Sequence, residues 1–169
     1  HTRLQGDWSA DVCSSDLIPE AFRIAMSGRP GPVLVDVPKD VQNQIIEFAQ
    51  FPPVAVRSPS PVVQVEQVEA AARMINEAER PVLYLGGGVI HSGAAQQAVN
   101  LAEQAGLPTT MTLMALGSMP VDHPLSIGML GMHGARYTNF VLEESDLLIC
   151  VGARFDDRAI GKAAQFCPN

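Results

Sequence analysis

Three short apolar runs, in "PVLYLGGG" (81–88), "LPTTMTLM" (107–114) and "DLLICVGA" (146–153), alternate with stretches whose apolar residues recur at helical spacing. Nothing else in the chain limits its fold so tightly. The runs are continuous rather than alternating, as expected of strands buried on both faces. Around and between them, "VEQVEAAARMINEA" (65–78) sets Val65, Val68, Ala72 and Ile75 at helical spacing. "SGAAQQAVNLAEQAG" (92–106) offers Ser92 as an N-cap and Gly106 as a stop, and "GARYTNFVLEES" (134–145) supplies a further helix. Strands alternating with helices at this interval form βαβ units with right-handed crossovers. The expected fold is therefore α/β: a doubly wound, Rossmann-like parallel sheet covered on both faces.

Composition narrows the partners. The 169 residues are 47% hydrophobic and 17% charged, enough to bury a core in one domain or one domain plus part of another. A formal charge of −7, without any Lys/Arg cluster, gives no basic footprint for nucleic acid or an anionic membrane surface, so a small-molecule ligand is expected. No apolar run approaches the roughly 18 residues of a membrane helix, and no signal peptide is evident, so the cytoplasm is the expected compartment. Cys13, Cys150 and Cys167 are too far apart for a CxxC pattern and read as reduced thiols, Cys150 as a small core residue.

The chain reads as four stretches. Residues 1–16, "HTRLQGDWSADVCSSD", lack an apolar period, hold the only Trp and resemble a translated cloning or sequencing-adapter scar. In 17–47, Ile18, Ala21, Phe22 and Ala25 share a helical face, Gly28 stops that helix, and "GPVLVDVP" (31–38) reads as a strand bounded by prolines. Pro52, Pro53, Pro59 and Pro61, with Ser58 and Ser60, make 48–61 a linker. Residues 62–169 hold the alternating pattern.

In an open parallel sheet the ligand lies beyond the carboxyl ends of the strands. The informative segments are therefore "GGG" (86–88), "TLM" (112–114) and "GARFDDR" (152–158), joined by "LGMHG" (130–134), which leads into a helix. Glycines there let backbone approach a ligand, helix N-termini favour phosphate, and arginines offer two-pronged phosphate contacts. Each segment also has a plainer reading. "GGG" is not the G-x-G-x-x-G fingerprint and serves equally as a tight turn. His133 fits a capping or simply exposed residue, Thr112 and Met114 fit packing positions, and Arg154, Asp156, Asp157 and Arg158 fit a solvated loop of paired charges. Convergence of all four on one sheet edge favours a nucleotide site.

Taken together, "GRPGPVLVDVPKDVQ", "YLGGGV", "TLMALGSMP", "HPLSIGMLGMHGARYTN" and "GARFDDRAIGKAAQFCPN" resemble the catalytic (large) subunits of the acetolactate, or acetohydroxyacid, synthase family of thiamine-diphosphate enzymes. The likeness runs from about Leu17 to the last residue. "LGMHG" and "GARFDDR" are specific to it, whereas "GRPGPV" and "GGG" recur in pyruvate oxidase and glyoxylate carboligase. The resemblance implies the end of a pyrimidine-binding domain (17–47) and most of a central FAD-binding domain (62–169).

The FAD positions it implies are Arg29, Gly86, Gly87, Gly88, Thr112, Leu113, Leu130, Gly131, Met132, His133, Gly152, Ala153, Arg154, Asp156 and Arg158. The glycine N–H groups would cradle the pyrophosphate, Arg154 and Arg158 would neutralise it, and Asp156 would accept from a sugar hydroxyl or orient an arginine. Met132 and His133 would lie along the flavin, and Lys39 and Met132 would border a substrate channel. The family joins two pyruvates, or pyruvate and 2-oxobutyrate, with loss of CO₂, on the way to branched-chain amino acids. Its catalytic subunits form homodimers or tetramers with a regulatory small subunit, in plastids or mitochondria where the source is eukaryotic. Its catalytic glutamate precedes the position of Leu17 and its Mg²⁺-diphosphate motif follows that of Asn169. No catalytic or metal-binding residue, and no activity of this stretch alone, is therefore expected. A self-standing nucleotide-binding module without catalysis is the alternative of a different class. Half a neighbouring domain ahead of a proline-rich linker argues against it.

Overall fold

A computed structural model of the chain describes residues 14–45, 47 and 62–168. It divides into two units, His1–Val62 and Val63–Asn169. The linker read over 48–61 lies outside the described residues, apart from the unit boundary beside it.

In the first unit, α1 (Ser14–Met26) begins inside the stretch set apart as a scar, because the first turn of a helix needs no apolar period. Ala21, Ile24 and Ala25 are half-buried, while Ile18 and Phe22 are exposed. Gly28 follows in the left-handed region at φ +53°, the stop expected of it. The strand expected over 31–38 does not form. A strand exists by hydrogen-bonding a neighbour, and among the described residues this segment has no ladder partner; Leu34 is 89% exposed. One helical turn, α2 (Lys39–Gln42), follows Pro38.

The second unit opens with α3 (Val65–Glu77) and continues as β1 (Pro81–Leu85), α4 (Gly87–His91), α5 (Ala95–Ala105), β2 (Thr109–Met111), β3 (Ser126–Met129), α6 (Arg136–Glu144), β4 (Leu147–Val151) and α7 (Asp157–Ile160). Its four strands form one parallel sheet in the order β3-β2-β1-β4. The chain steps from β1 to β2 to β3 in one direction, then returns to lay β4 on the other side of β1. That reversal makes the sheet doubly wound and puts its switch point between β1 and β4. Period-two alternation along β1 feeds two cores. Leu83 and Leu85 pack with Ala98, Val99 and Ala102 of α5, with Ile75 of α3 alongside. Val82 and Tyr84 pack on the opposite face with Leu142 of α6 and Phe166.

Several local expectations change. Ser92 does not cap α5, whose N-cap is Ala94. The glycine triplet opens an unforeseen helical turn, and Ser92 Oγ closes it by donating to Val89 O (3.1 Å). Gly106 does end α5, at φ +63°. The strand read over 107–114 shrinks to 109–111, because the chain leaves the sheet through a 3₁₀ turn at Leu113–Ala115. β3 was not expected, being short and broken by Gly128 at φ +73°. Cys150 is exposed rather than in the core, since β4 is an edge strand whose last two residues are open to solvent. Among the described residues no helix is long and apolar enough to cross a membrane.

The entries to β1 and β4 are tied by one side chain. Both Asp146 carboxylate oxygens accept backbone N–H groups, from Glu79 (2.7 Å) and Arg80 (2.8 Å), while Arg80 Nε donates to Glu144 O (2.7 Å). The Glu79 N–H is the main cause that holds the Asp146 carboxyl below the usual carboxylate range; desolvation opposes it and the Arg80 N–H reinforces it. A lowered folded pKa gives stability that is present above the unfolded value of about 4 and lost as pH falls through the folded one. The urea midpoint of the wild type should therefore drop more on acidification than that of Asp146→Ala. Parallel drops would show that the tie contributes nothing.

Candidate functional site at the carboxyl edge of the sheet

The four segments singled out by sequence meet at the carboxyl ends of the strands, and backbone contacts join them. Gly86 N–H donates to Val151 O (2.8 Å) and Gly88 N–H to Gly152 O (2.9 Å), so the turn after β1 lies against the turn after β4. A Cβ on Gly86 would stand 2.2 Å from Ala153 Cα, and one on Gly88 would stand 2.8 Å from Gly152 Cα. The glycines at 86 and 88 are thus explained by this close approach of chain to chain. Gly87 is different: its nearest neighbour would be Met114 Cβ at 3.0 Å, which brings in the segment after β2. On the other flank Met132 N–H donates to Arg158 O (3.0 Å), and a Cβ on Gly131 would meet that same oxygen at 2.5 Å. Segments 112–114, 86–88, 152–158 and 131–132 therefore form one continuous rim over the switch point.

The rim's chemistry is mixed. Leu113, Met114, Met132 and Phe155 are exposed large apolar side chains. Phe155 is anchored beneath, its ring 6.0 Å from that of Tyr84 and 5.9 Å from that of Phe166. Arg154 and Arg158 are exposed cations of the same loop and helix. Arg154 Nη2 lies 3.4 Å from Asp156 Oδ2, with the arginine largely in solvent and the aspartate partly exposed, a pairing worth little by itself. Asp156 also has a local task, because its Oδ1 accepts Ala159 N–H (3.0 Å) and caps α7.

Four buried hydroxyls have no partner among the described residues: Thr112 Oγ1, just past β2, Tyr84 OH, Ser118 Oγ and Ser126 Oγ. Burial, and secondarily the charges of Cys150 and Asp156, push the Tyr84 phenol up to about 12, so it stays a hydrogen-bond donor. An unpartnered buried hydroxyl is costly, and Thr112 stands where a ligand on the rim would meet it.

Other predicted site residues fall as follows. Leu130 is buried in the second core, and Ala153 packs against it. Gly152 is left-handed at φ +63°. His133 is exposed and does not cap α6, whose N-cap is Ala135. Arg29, in the bend after α1, and Lys39, opening α2, belong to the first unit. Sequence reading missed Tyr84, Phe155 and Asn139 as builders of the site. Only Asn139 carried a signal, an asparagine inside a helix, where its side chain competes for backbone hydrogen bonds. Among the described residues no group of three His, Cys, Asp or Glu side chains could hold a metal ion.

Residues 68–169 match the model of the thiamine pyrophosphate enzyme central domain. The chain belongs to that family. The match takes in β1 to α7, hence every segment of the rim. Among curated proteins the chain is 61% identical over 153 residues to the acetolactate synthase isozyme 1 large subunit of Escherichia coli, covering 90% of this chain and 27% of that protein. It is 47% identical over 154 residues to the acetolactate synthase large subunit of Corynebacterium glutamicum (90% and 25%) and 46% identical over 155 residues to the chloroplastic acetolactate synthase 2 of Zea mays (89% and 24%). The chain thus spans about a quarter of the length of the curated relatives it matches.

Proposed function

We propose that the chain is part of an acetolactate synthase catalytic subunit and that its strand-end rim holds FAD. The rim carries this reading. It sets two arginines beside a row of exposed apolar side chains and a buried, unpartnered threonine hydroxyl, at the switch point of a doubly wound sheet. A ligand with both a pyrophosphate and a flat apolar ring system suits that mixture. Arg154 and Arg158 would bind the phosphates, Gly87 would leave backbone open to them, and Thr112 would satisfy its hydroxyl on the ligand. Met132, Leu113 and Phe155 would flank the rings, with His133 beside Met132. Arg29 would join from the preceding domain.

The reaction proposed for the whole protein, condensation of pyruvate with a second pyruvate or with 2-oxobutyrate and loss of CO₂, has no net redox step. The flavin's contribution there is to order this domain. Thiamine diphosphate and Mg²⁺ would be held by other parts of the protein, and Lys39 and Met132 would border the path of the 2-oxo acid. Residues 17–47 and 62–169 would belong to successive domains joined by the 48–61 linker, in a homo-oligomer with a regulatory subunit. The expected compartment is the cytoplasm, or an organelle in a eukaryote.

Flavin titration of a full-length catalytic subunit carrying this segment tests the site. Arg154→Ala or Arg158→Ala removes charge-assisted hydrogen bonds of roughly 1.5–3 kcal/mol, about a ten- to hundred-fold loss of FAD affinity. Arg154→Lys should recover part of it, since an ammonium cannot reproduce the planar fork. Wild-type affinity in both alanine variants would remove the cluster from the site.

A further inference from the structure

The turn between β3 and α6 is held on both sides of Gly131 by three hydrogen bonds. Gly131 N–H donates to Asn139 Oδ1 (2.8 Å), and Asn139 Nδ2 donates back to Gly131 O (3.2 Å). Only one orientation of the carboxamide serves both bonds, so its acceptor and donor are assigned together. Met132 N–H is taken by Arg158 O (3.0 Å), and Gly131 itself is left-handed at φ +83° against that same carbonyl. Asn139 sits mid-way along α6, where an asparagine is a poor helix former, and its side chain is spent on a loop eight residues back. The peptide it grips carries Met132, whose side chain is 73% exposed at the rim, and abuts Arg158 of the cation-bearing helix.

We infer that Asn139 is a positioning residue: it fixes the Gly131–Met132 peptide, and with it the apolar flank on which the ring end of the ligand rests. This rests on the reading of the rim as a flavin site. Because the grip acts on the apolar flank, its loss separates the two ends of the ligand. In the full-length subunit Asn139→Ala should bind FAD roughly two- to tenfold more weakly, the span of one neutral hydrogen bond, and bind ADP as the wild type does. Arg154→Ala should weaken both ligands. Asn139→Asp, which keeps the acceptor for Gly131 N–H but loses the donor, should fall between wild type and alanine for FAD. It also serves where the alanine variant folds poorly.

Amide hydrogen exchange on the 169-residue chain without ligand reads the grip directly, with Gly131 exchanging roughly two- to tenfold faster in Asn139→Ala. Unchanged exchange there, or equal weakening of FAD and ADP in both Asn139 variants, overturns the positioning role. FAD binding that ignores Arg154 and Arg158 while Gly131 exchange still responds to Asn139 overturns the flavin reading, and the ligand-positioning role with it, leaving only the loop contact.

Discussion

Gly86→Ala is expected to cost the second unit about 3 kcal/mol, the upper end for overpacking a close-fitted interior. Its Cβ would land 2.2 Å from Ala153 Cα and from Gly152 O, and backbone on both sides leaves nothing that can rotate away. Gly152→Ala should match or exceed it, because a Cβ 2.8 Å from Val89 N is added to a left-handed φ of +63°. Gly87→Ala is the contrast. Its new methyl meets Met114 Cβ at 3.0 Å and Met114 O at an ordinary 3.6 Å, with no backbone atom closer, and stability should fall by no more than about 1 kcal/mol. Urea unfolding of the three variants ranks them. Equal, small losses would mean that the turns after β1 and β4 are not wedged together.

Leu83→Ala should cost about 2–5 kcal/mol, the range for cavities left by buried leucines. Leu83 is fully buried in the central strand between β2 and β4, and packs into the core under α5. Leu34→Ala, in a run that reads almost identically, should stay within about 0.5 kcal/mol of wild type, as its side chain is 89% exposed. Thermal or urea unfolding checks the pair, and comparable losses would contradict the open state of 31–38.

That pair also marks where sequence stops being informative. "PVLYL" and "GPVLVDVP" offer the same apolar run between breakers, but only the first has strands to join, and a partner is not written in the run itself. Long-period signals were legible: α3, α5, α6 and the strand positions of β1 and β4 follow from spacing alone. What escaped was short or conditional. β3 has four residues with a glycine inside, and α4 exists because the glycine triplet is wedged against 152–153. For that reason spacing alone points Ser92 to the wrong helix, and nothing local marks β4, and with it Cys150, as lying at an edge. The rim was legible as residue types at strand ends. Its internal joints were not, since Asn139 on Gly131, Phe155 on Tyr84 and Arg158 on Met132 all depend on neighbours brought close by the fold.

The return of the chain from β3 to β4 also orders events in time. β1 and β2 follow one another through α4 and α5, with Leu83 paired to Thr109, whereas the tie between Arg80 and Asp146 spans 66 residues. Closing the longer loop costs at least about 0.6 kcal/mol more in chain entropy, since its length is more than doubled. It is also repaid only after the intervening elements are in place. Pairings so distant slow the search for the native state. The seam between β1 and β4 is therefore expected to close late in folding, with the rim that straddles it assembled after β1 and β2 have paired.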